Sequence, residues 1–235
     1  MKVHVAACSS DLRRIRTVVV VDVFRSSSAI ITALGNGAQS VIPFTNLSKA
    51  VHAHRRSRLS TILAGERRGF TPTHFDFNIS PFEMSRKNIS GRTILYSSSN
   101  LTRILNRLGE RQRILIGGVI NARAVANYVQ ARHDDVAIVP CGTKLGTAIE
   151  DLLGAGAIAV SISHAEFSDE ALAAIGLFKA KSWKGLVRRG RIAGRLKELG
   201  FQRDVEFCLR LNSSSVVPGL VGNKIVNVAK FGKSR

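Results

Sequence analysis

The chain has 235 residues, enough for one large α/β domain or two small ones. Its hydrophobic fraction of 45% is ordinary, but 35 Lys and Arg against 16 Asp and Glu give a formal charge of +19. Such a field attracts anions, whether nucleic acid, an acidic membrane surface or a small polyanionic substrate, and it says nothing about fold. Cys8, Cys141 and Cys208 are odd in number and far apart, so neither a disulfide framework nor a metal spacing follows from them. Reduced thiols in a cytoplasmic protein fit that usage. Met1 to Ala6 has no apolar core of a signal peptide, and the least polar long stretch, Leu152 to Ser163, is too short to span a bilayer. The expectation is a soluble, cytoplasmic protein.

Strands and helices alternate along the chain. Residues 17–23 are a β-branched run that ends on Asp22, and a helix over Ala29 to Leu34 follows, stopped by Asn36-Gly37. Ser40 to Phe44 reads as a strand, Leu47 to Arg58 as a helix, and Ser60 to Ala64 as a strand running into Gly65-Glu66-Arg67-Arg68-Gly69. Residues 70–90, with Pro72, Pro81 and several Asn and Asp, read as a loop. Thr93 to Tyr96 is a strand, Ser97 to Asn100 a turn and Leu101 to Leu108 a helix. Arg113 to Ile116 and Val136 to Val139 are strands with a helix through Tyr128 between them. A helix near Ile149 to Leu153, a strand at Ala157 to Ile162 and long helices over 168–198 complete the pass. This alternation predicts a single α/β domain over 1–235, in three α/β/α layers with a largely parallel sheet that a mixed order would also satisfy.

Ligands of such sheets sit at the carboxyl ends of strands. Asp22, Glu66, Ser97 to Asn100 and the Cys141 to Thr143 turn all fall there. In Val-Val-Val-Val-Asp-Val-Phe-Arg-Ser-Ser-Ser (18–28) a strand feeds a helix N-terminus, which favours an anion. Arg25 adds a fork of donors, and Ser26, Ser27 and Ser28 add amides and hydroxyls. Asp22 repels an anion, so it implies a cation between them or a carboxylate that attacks the anion; otherwise it caps the helix. Ile-Leu-Tyr-Ser-Ser-Ser-Asn (94–100) echoes the same strand–hydroxyl–helix pattern and offers a second cradle, although serines also serve simply as N-caps.

Glu66 is either a ligand-facing carboxylate or half of an exposed Glu–Arg turn. Glu150-Asp151 are either solvated helix charges or hard oxygen ligands for magnesium. The six histidines show no zinc spacing, and Cys141 reads as a structural thiol. The basic run Lys179 to Lys197 reads as a solvated helix face, with nucleic-acid contact as the alternative.

Taken together, these blocks resemble the 2-phosphosulfolactate phosphatase (ComB) family of coenzyme M biosynthesis. The likeness runs over about residues 17–225. It is carried by Val20 to Leu34, by Leu-Ala-Gly-Glu-Arg (63–67), by Phe-Asp-Phe-Asn-Ile-Ser-Pro (75–81) and by Ser-Ser-Ser-Asn-Leu-Thr-Arg (97–103). Ile-Glu-Asp-Leu-Leu-Gly-Ala-Gly (149–156) and Asp204 to Cys208 carry its later part. Two loops depart from the family pattern: Asn78-Ile79 replaces a Gly-Asn pair, and Leu101 replaces a glycine.

The resemblance implies an α/β/α phosphatase that hydrolyses 2-phosphosulfolactate to 3-sulfolactate and phosphate with Mg²⁺. It implies Asp22, Arg25, Glu66, Asn100 and Asp151 near the site. The expected assignments are Asp22, Arg25 and Glu66 as catalytic residues and Asp22, Glu66 and Asp151 as Mg²⁺ ligands. Arg25, Ser26, Ser27, Ser28, Ser98, Ser99, Asn100 and Thr102 are expected to bind phosphate and a second anionic group. The partner is then a small phosphorylated acid and not a membrane; a homo-oligomer is compatible with the sequence. The alternative is a catalytically altered member that binds an anion or nucleic acid through its basic surface.

Overall fold

The structure is a computed structural model that describes residues 1–6, 12, 14–57, 60–109, 111–143 and 146–229. Cys8 lies outside the described residues. Ten strands join one sheet: β1 (Lys2–Val5), β2 (Thr17–Val21), β3 (Ser40–Pro43), β4 (Thr61–Gly65), β5 (Thr93–Ser97), β6 (Arg113–Gly117), β7 (Val136–Pro140), β8 (Glu166–Phe167), β9 (Pro218–Val221) and β10 (Lys224–Asn227). The order is β4-β5-β3-β10-β9-β6-β2-β7-β1-β8.

The sheet has two parallel blocks. β4, β5 and β3 form one, and β6, β2, β7, β1 and β8 the other. The β9–β10 hairpin joins them through three successive antiparallel contacts. The two blocks therefore run in opposite senses.

The helices are α1 (Ser26–Gly35), α2 (Leu47–Arg56), α3 (Pro81–Met84), α4 (Leu101–Leu105), α5 (Ala122–Gln130), α6 (Ile149–Ala159), α7 (Asp169–Lys179), α8 (Trp183–Arg188), α9 (Arg191–Glu198) and α10 (Gln202–Cys208). Alternation along β2 splits its valines between two cores. Val19 and Val21 pack with α5, α6 and α7, and Val18 and Val20 pack with α1 and α4. The second core also takes Ile62 of β4 and Ile94 of β5, while Leu63 and Leu95 face Ala50 of α2 on the other side. Helices thus cover both faces of the sheet, as the alternating pattern predicts. α4 leaves β5 and touches β2, so the sheet curls until the carboxyl ends of distant strands meet.

Four sequence expectations need correction. Ala157 to Ile162 is not a strand: it belongs to α6 and the turn after it. α6 is buried nearly all round and lacks a polar stripe, so its composition imitates a buried strand. Its Gly154 lies so close to β2 that a Cβ there would stand 2.7 Å from Val23 Cγ2. The segment 70–90 is not all loop, because Ser80 caps the short α3 by accepting the Glu83 N–H at 3.1 Å. The helix after Asn100 ends at Leu105 rather than Leu108. β1, β8 and the β9–β10 hairpin are four-residue or shorter strands that the alternation alone does not announce.

Candidate active site

Val18 to Val21 form a fully buried β-branched strand, so the polar residues that follow it are delivered to a fixed place at its end. The Ser27 N–H donates to the Asp22 carbonyl at 2.8 Å, and the Asp22 N–H donates to Ser27 Oγ at 2.9 Å. The Ser28 hydroxyl donates to the Val23 carbonyl at 3.0 Å. These bonds form the tight exit of β2 and turn the Asp22 carboxylate toward Ser26, whose N–H it accepts at 3.4 Å. Asp22 therefore serves the start of α1 as well as facing the cavity.

The cavity holds about 210 Å³ and is lined by Asp22, Arg25 and Ser26 from the β2 end, Glu66, Arg68 and Gly69 from the β4 end, and Ser99 and Asn100 from the β5 end. Ile79 forms part of its wall, and Ile192, Arg195, Leu196 and Leu199 cover it from α9 and the turn after it. Glu66 fixes two of these loops to each other. Its carboxylate accepts the Ser99 N–H at 2.7 Å and the Gly69 N–H at 2.9 Å. Arg67 does not neutralise it; it donates to the carbonyls of Glu66 and Thr45 and to Ser97 Oγ. Glu66 is thus the loop-joining, cavity-facing carboxylate rather than half of an exposed Glu–Arg turn. Gly65 before it is required by close packing, since a Cβ would stand 2.6 Å from the Phe75 ring.

Arg25 is 3% exposed. One N–H goes to Asp204 Oδ2 at 3.0 Å, and the guanidinium lies over the Phe201 ring with 4.0 Å to its centroid. Asp204 is itself buried and accepts the Ser80 hydroxyl at 2.6 Å and the Phe82 N–H at 3.2 Å through Oδ1. This buried pair joins α10 and α3 to the cavity-lining arginine.

The electrostatics are those of crowded, buried acids. Burial pushes the Asp22 carboxyl up from 3.8 to about 6, opposed by hydrogen bonds from Ser26, and the Glu66 charge adds to the rise. Burial raises Glu150 to about 7, with Asp22 contributing. Burial also holds Asp151 well above the usual carboxylate range, reinforced by Asp22 and Glu150.

The site expectations divide accordingly. Asp22, Arg25, Ser26, Glu66, Ser99 and Asn100 meet at one cavity. Ser27 and Ser28 turn inward, fully buried, and their hydroxyls hold the β2 exit instead of facing a ligand. Ser98 and Thr102 line an adjoining pocket. Cys141 to Thr143 line another, at the end of β7. Glu150 and Asp151 are buried, not solvated.

Asp151 stands outside the cavity lining. It accepts the Val23 N–H at 2.8 Å and the Gly142 N–H at 2.9 Å, which ties the exits of β2 and β7 together. Among the described residues no group of three or more His, Cys, Asp and Glu is placed to hold a metal. The expected trio of Asp22, Glu66 and Asp151 is thus reduced to the pair Asp22 and Glu66. Two carboxylates beside room for an anion still fit Mg²⁺, which commonly takes one or two carboxylates with phosphate oxygens and waters. The raised carboxyl of Asp22 is what a cation there would relieve.

Arg68, Arg195, Asp204 and the α9 leucines are site residues that sequence reasoning missed. The basic run is more than a solvated face, because Arg195 lines the cavity while it pairs with Glu198 at 3.3 Å. The Leu101 departure from the family pattern needs no left-handed backbone. Leu101 begins α4 fully buried, and it is not among the residues with positive φ.

Fold and site define an α/β protein with a cavity lined by acids and arginines at the ends of three strands. A family model described as 2-phosphosulpholactate phosphatase matches residues 5–223. The chain is 34% identical over 206 residues to a protein of Carboxydothermus hydrogenoformans, covering 86% of this chain and 85% of that one. It is 33% identical over 216 residues to one of Caldanaerobacter subterraneus subsp. tengcongensis (89% of each) and 32% identical over 235 residues to one of Clostridium beijerinckii (96% and 99%). All three carry the name "Probable 2-phosphosulfolactate phosphatase". The chain belongs to the 2-phosphosulfolactate phosphatase family. No helix among the described residues is long and apolar enough to cross a membrane.

Proposed function

We propose that the protein is a Mg²⁺-dependent phosphatase of a small anionic phosphoester, with 2-phosphosulfolactate hydrolysed to 3-sulfolactate and phosphate, the reaction that serves coenzyme M biosynthesis. The observation that carries this reading is the meeting of Asp22, Glu66, Arg25 and Ser26 on one small cavity at three strand ends. The family relatives bear the same activity in their names.

Each residue has a task that follows from its chemistry. Arg25, held by Asp204, gives one N–H to that partner and keeps the rest of its fork for phosphoryl oxygens. The Ser26 side chain and the Asn100 amide add neutral donors around the same anion. Asp22 and Glu66 would hold Mg²⁺, which supplies charge neutralisation of the phosphoryl oxygens when bound. Asp22 is the carboxylate nearest the anion-facing helix start. It acts either by attacking phosphorus or by orienting the water that does. In both cases a new O–P bond forms as the P–O bond to the organic alcohol breaks, and the leaving oxygen takes a proton from the attacking water or from solvent; where Asp22 attacks, a water then cleaves the aspartyl phosphate to release phosphate and restore the carboxylate.

The test is phosphate release from 2-phosphosulfolactate, with Mg²⁺ and with a chelator. Asp22→Asn should lower the Mg²⁺-dependent rate by at least about a thousandfold, the scale of losing a group at the reacting atoms. Wild-type turnover by that variant, or equal rates with and without the chelator, would sink the reading.

A further inference from the structure

On the other side of Ser99 from the Asp22 cavity lies a second concave site of about 450 Å³, lined by Thr45, Arg67, Arg68, Ser98, Ser99, Thr102 and Arg103. It shares Arg68 and Ser99 with the Asp22 cavity, so the two sites are contiguous. Their chemistry differs. Two carboxylates line the first site and none lines the second, where three arginines converge.

Arg67 is committed to the carbonyls of Glu66 and Thr45 and to Ser97 Oγ, so it holds the floor. Thr102 is likewise committed, giving its hydroxyl to the Ser98 carbonyl at 2.7 Å. Arg68 and Arg103 are different: among the described residues neither forms an ion pair. Among the described residues two buried polar atoms here also find no hydrogen-bond partner, Arg103 Nε and the Oγ of Ser98, a residue only 3% exposed. Buried polar groups without partners are expensive, and an anion seated among them would satisfy both.

We propose that this arginine pocket is a second anion subsite, which seats the spectator acidic group of the substrate, a carboxylate or sulfonate, beside the phosphoryl cavity. The inference rests on the phosphatase reading for its substrate but not for its geometry. A transferred phosphoryl group needs acids and a cation near it. A spectator acid needs only fixed positive charge, and the two contiguous cavities separate those demands. Arg68 and Arg103 then select phosphoesters that carry a further acidic group over simple ones.

Two measurements test this. In the first, 3-sulfolactate is titrated calorimetrically into the wild type, Arg68→Ala and Arg103→Gln. Each substitution should weaken binding about tenfold or more, the loss expected for one charge-assisted contact. In the second, KM is compared for 2-phosphosulfolactate and for ethyl phosphate, which has no spectator acid. Arg103→Gln, which alters only the second pocket, should raise KM for the former by a similar factor, keep its kcat, and leave the parameters for ethyl phosphate unchanged.

Unaltered 3-sulfolactate binding in both variants, or no binding by the wild type, would overturn the subsite. So would an equal rise in KM for both esters in Arg103→Gln, because that arginine would then hold the phosphate itself. Arg68 is exposed, so its variant should fold even if Arg103→Gln does not. If the wild type releases phosphate from neither ester, the phosphatase reading fails while the titration still decides the subsite.

Discussion

Two strand–serine–helix units meet at the cavity, β2–α1 with Asp22 to Ser28 and β5–α4 with Ser97 to Asn100. In the first, Ser27 and Ser28 are fully buried and their hydroxyls close the turn, leaving Asp22, Arg25 and Ser26 to line the cavity. In the second, Ser97 donates inward to the Phe44 carbonyl at 2.6 Å, whereas Ser98, Ser99 and Asn100 stay at pocket surfaces. Similar strings of serine thus do opposite work. The difference is set by what the neighbouring charges do: Arg25 is gripped by a buried acid, and Arg103 forms no ion pair among the described residues. The first unit is built on a buried ion pair; the second presents arginine that is in no ion pair among the described residues.

The largest test of that contrast concerns the two arginines. Asp204→Ala leaves Arg25 buried and unpaired and should cost about 3–5 kcal/mol in urea unfolding. Arg103→Gln breaks no ion pair and should cost under about 1 kcal/mol. Equal losses would mean that the two units are held in the same way. Asp204→Asn, which keeps an acceptor without the charge, should fold better than the alanine variant while still raising KM for the phosphoester.

Asp22 supplies the next effect. Its carboxyl rises from 3.8 to about 6 in the folded protein, so the folded state holds that proton more tightly than the unfolded chain. Stability from this group is fully present below 3.8 and is lost as pH rises through about 6. The gap corresponds to about 3 kcal/mol at pH 8. Asp22→Asn should therefore be more stable than the wild type by about 3 kcal/mol at pH 8, with the difference vanishing near pH 3.5. Unfolding curves at the two pH values check this, and a destabilised variant at pH 8 would contradict it. The same substitution that removes activity would then strengthen the fold, as expected where a site stores electrostatic strain for function.

Much of this contrast is visible in the sequence, and some of it is not. Asp22, Glu66, Ser99 and Asn100 announce themselves because each sits at the end of a β-branched run, where an α/β sheet collects its ligands. Position along a strand does not reveal which way a hydroxyl points, so Ser27 and Ser28 read as donors although they face the interior. Asp151 misleads for a related reason: an acid in the first turn of α6 looks like a ligand, yet it bonds the amides of Val23 and Gly142. Asp204 pairs with Arg25 across 179 residues, and no local pattern signals such a contact. The α6 helix is mistaken for a strand where glycine and alanine let it pack closely on all sides, because periodicity disappears when no face is wet.

The smallest effect separates the two serine strings directly. Ser27→Ala removes the acceptor of the buried Asp22 N–H, and an orphaned buried donor costs about 1–3 kcal/mol. Ser99→Ala removes only an exposed side chain, because the contact Ser99 makes to Glu66 runs through its backbone N–H. That variant should stay within about 0.5 kcal/mol of the wild type in unfolding. Any consequence should appear in KM for the phosphoester, since the lost hydroxyl lies where the two cavities join. If Ser99→Ala unfolds as readily as Ser27→Ala, Ser99 is a structural residue and the β5–α4 unit is not the open half of the site. If Ser27→Ala is as stable as the wild type, the β2 exit is held by the Arg25–Asp204 pair and the Asp151 bonds alone, and its serines are spare.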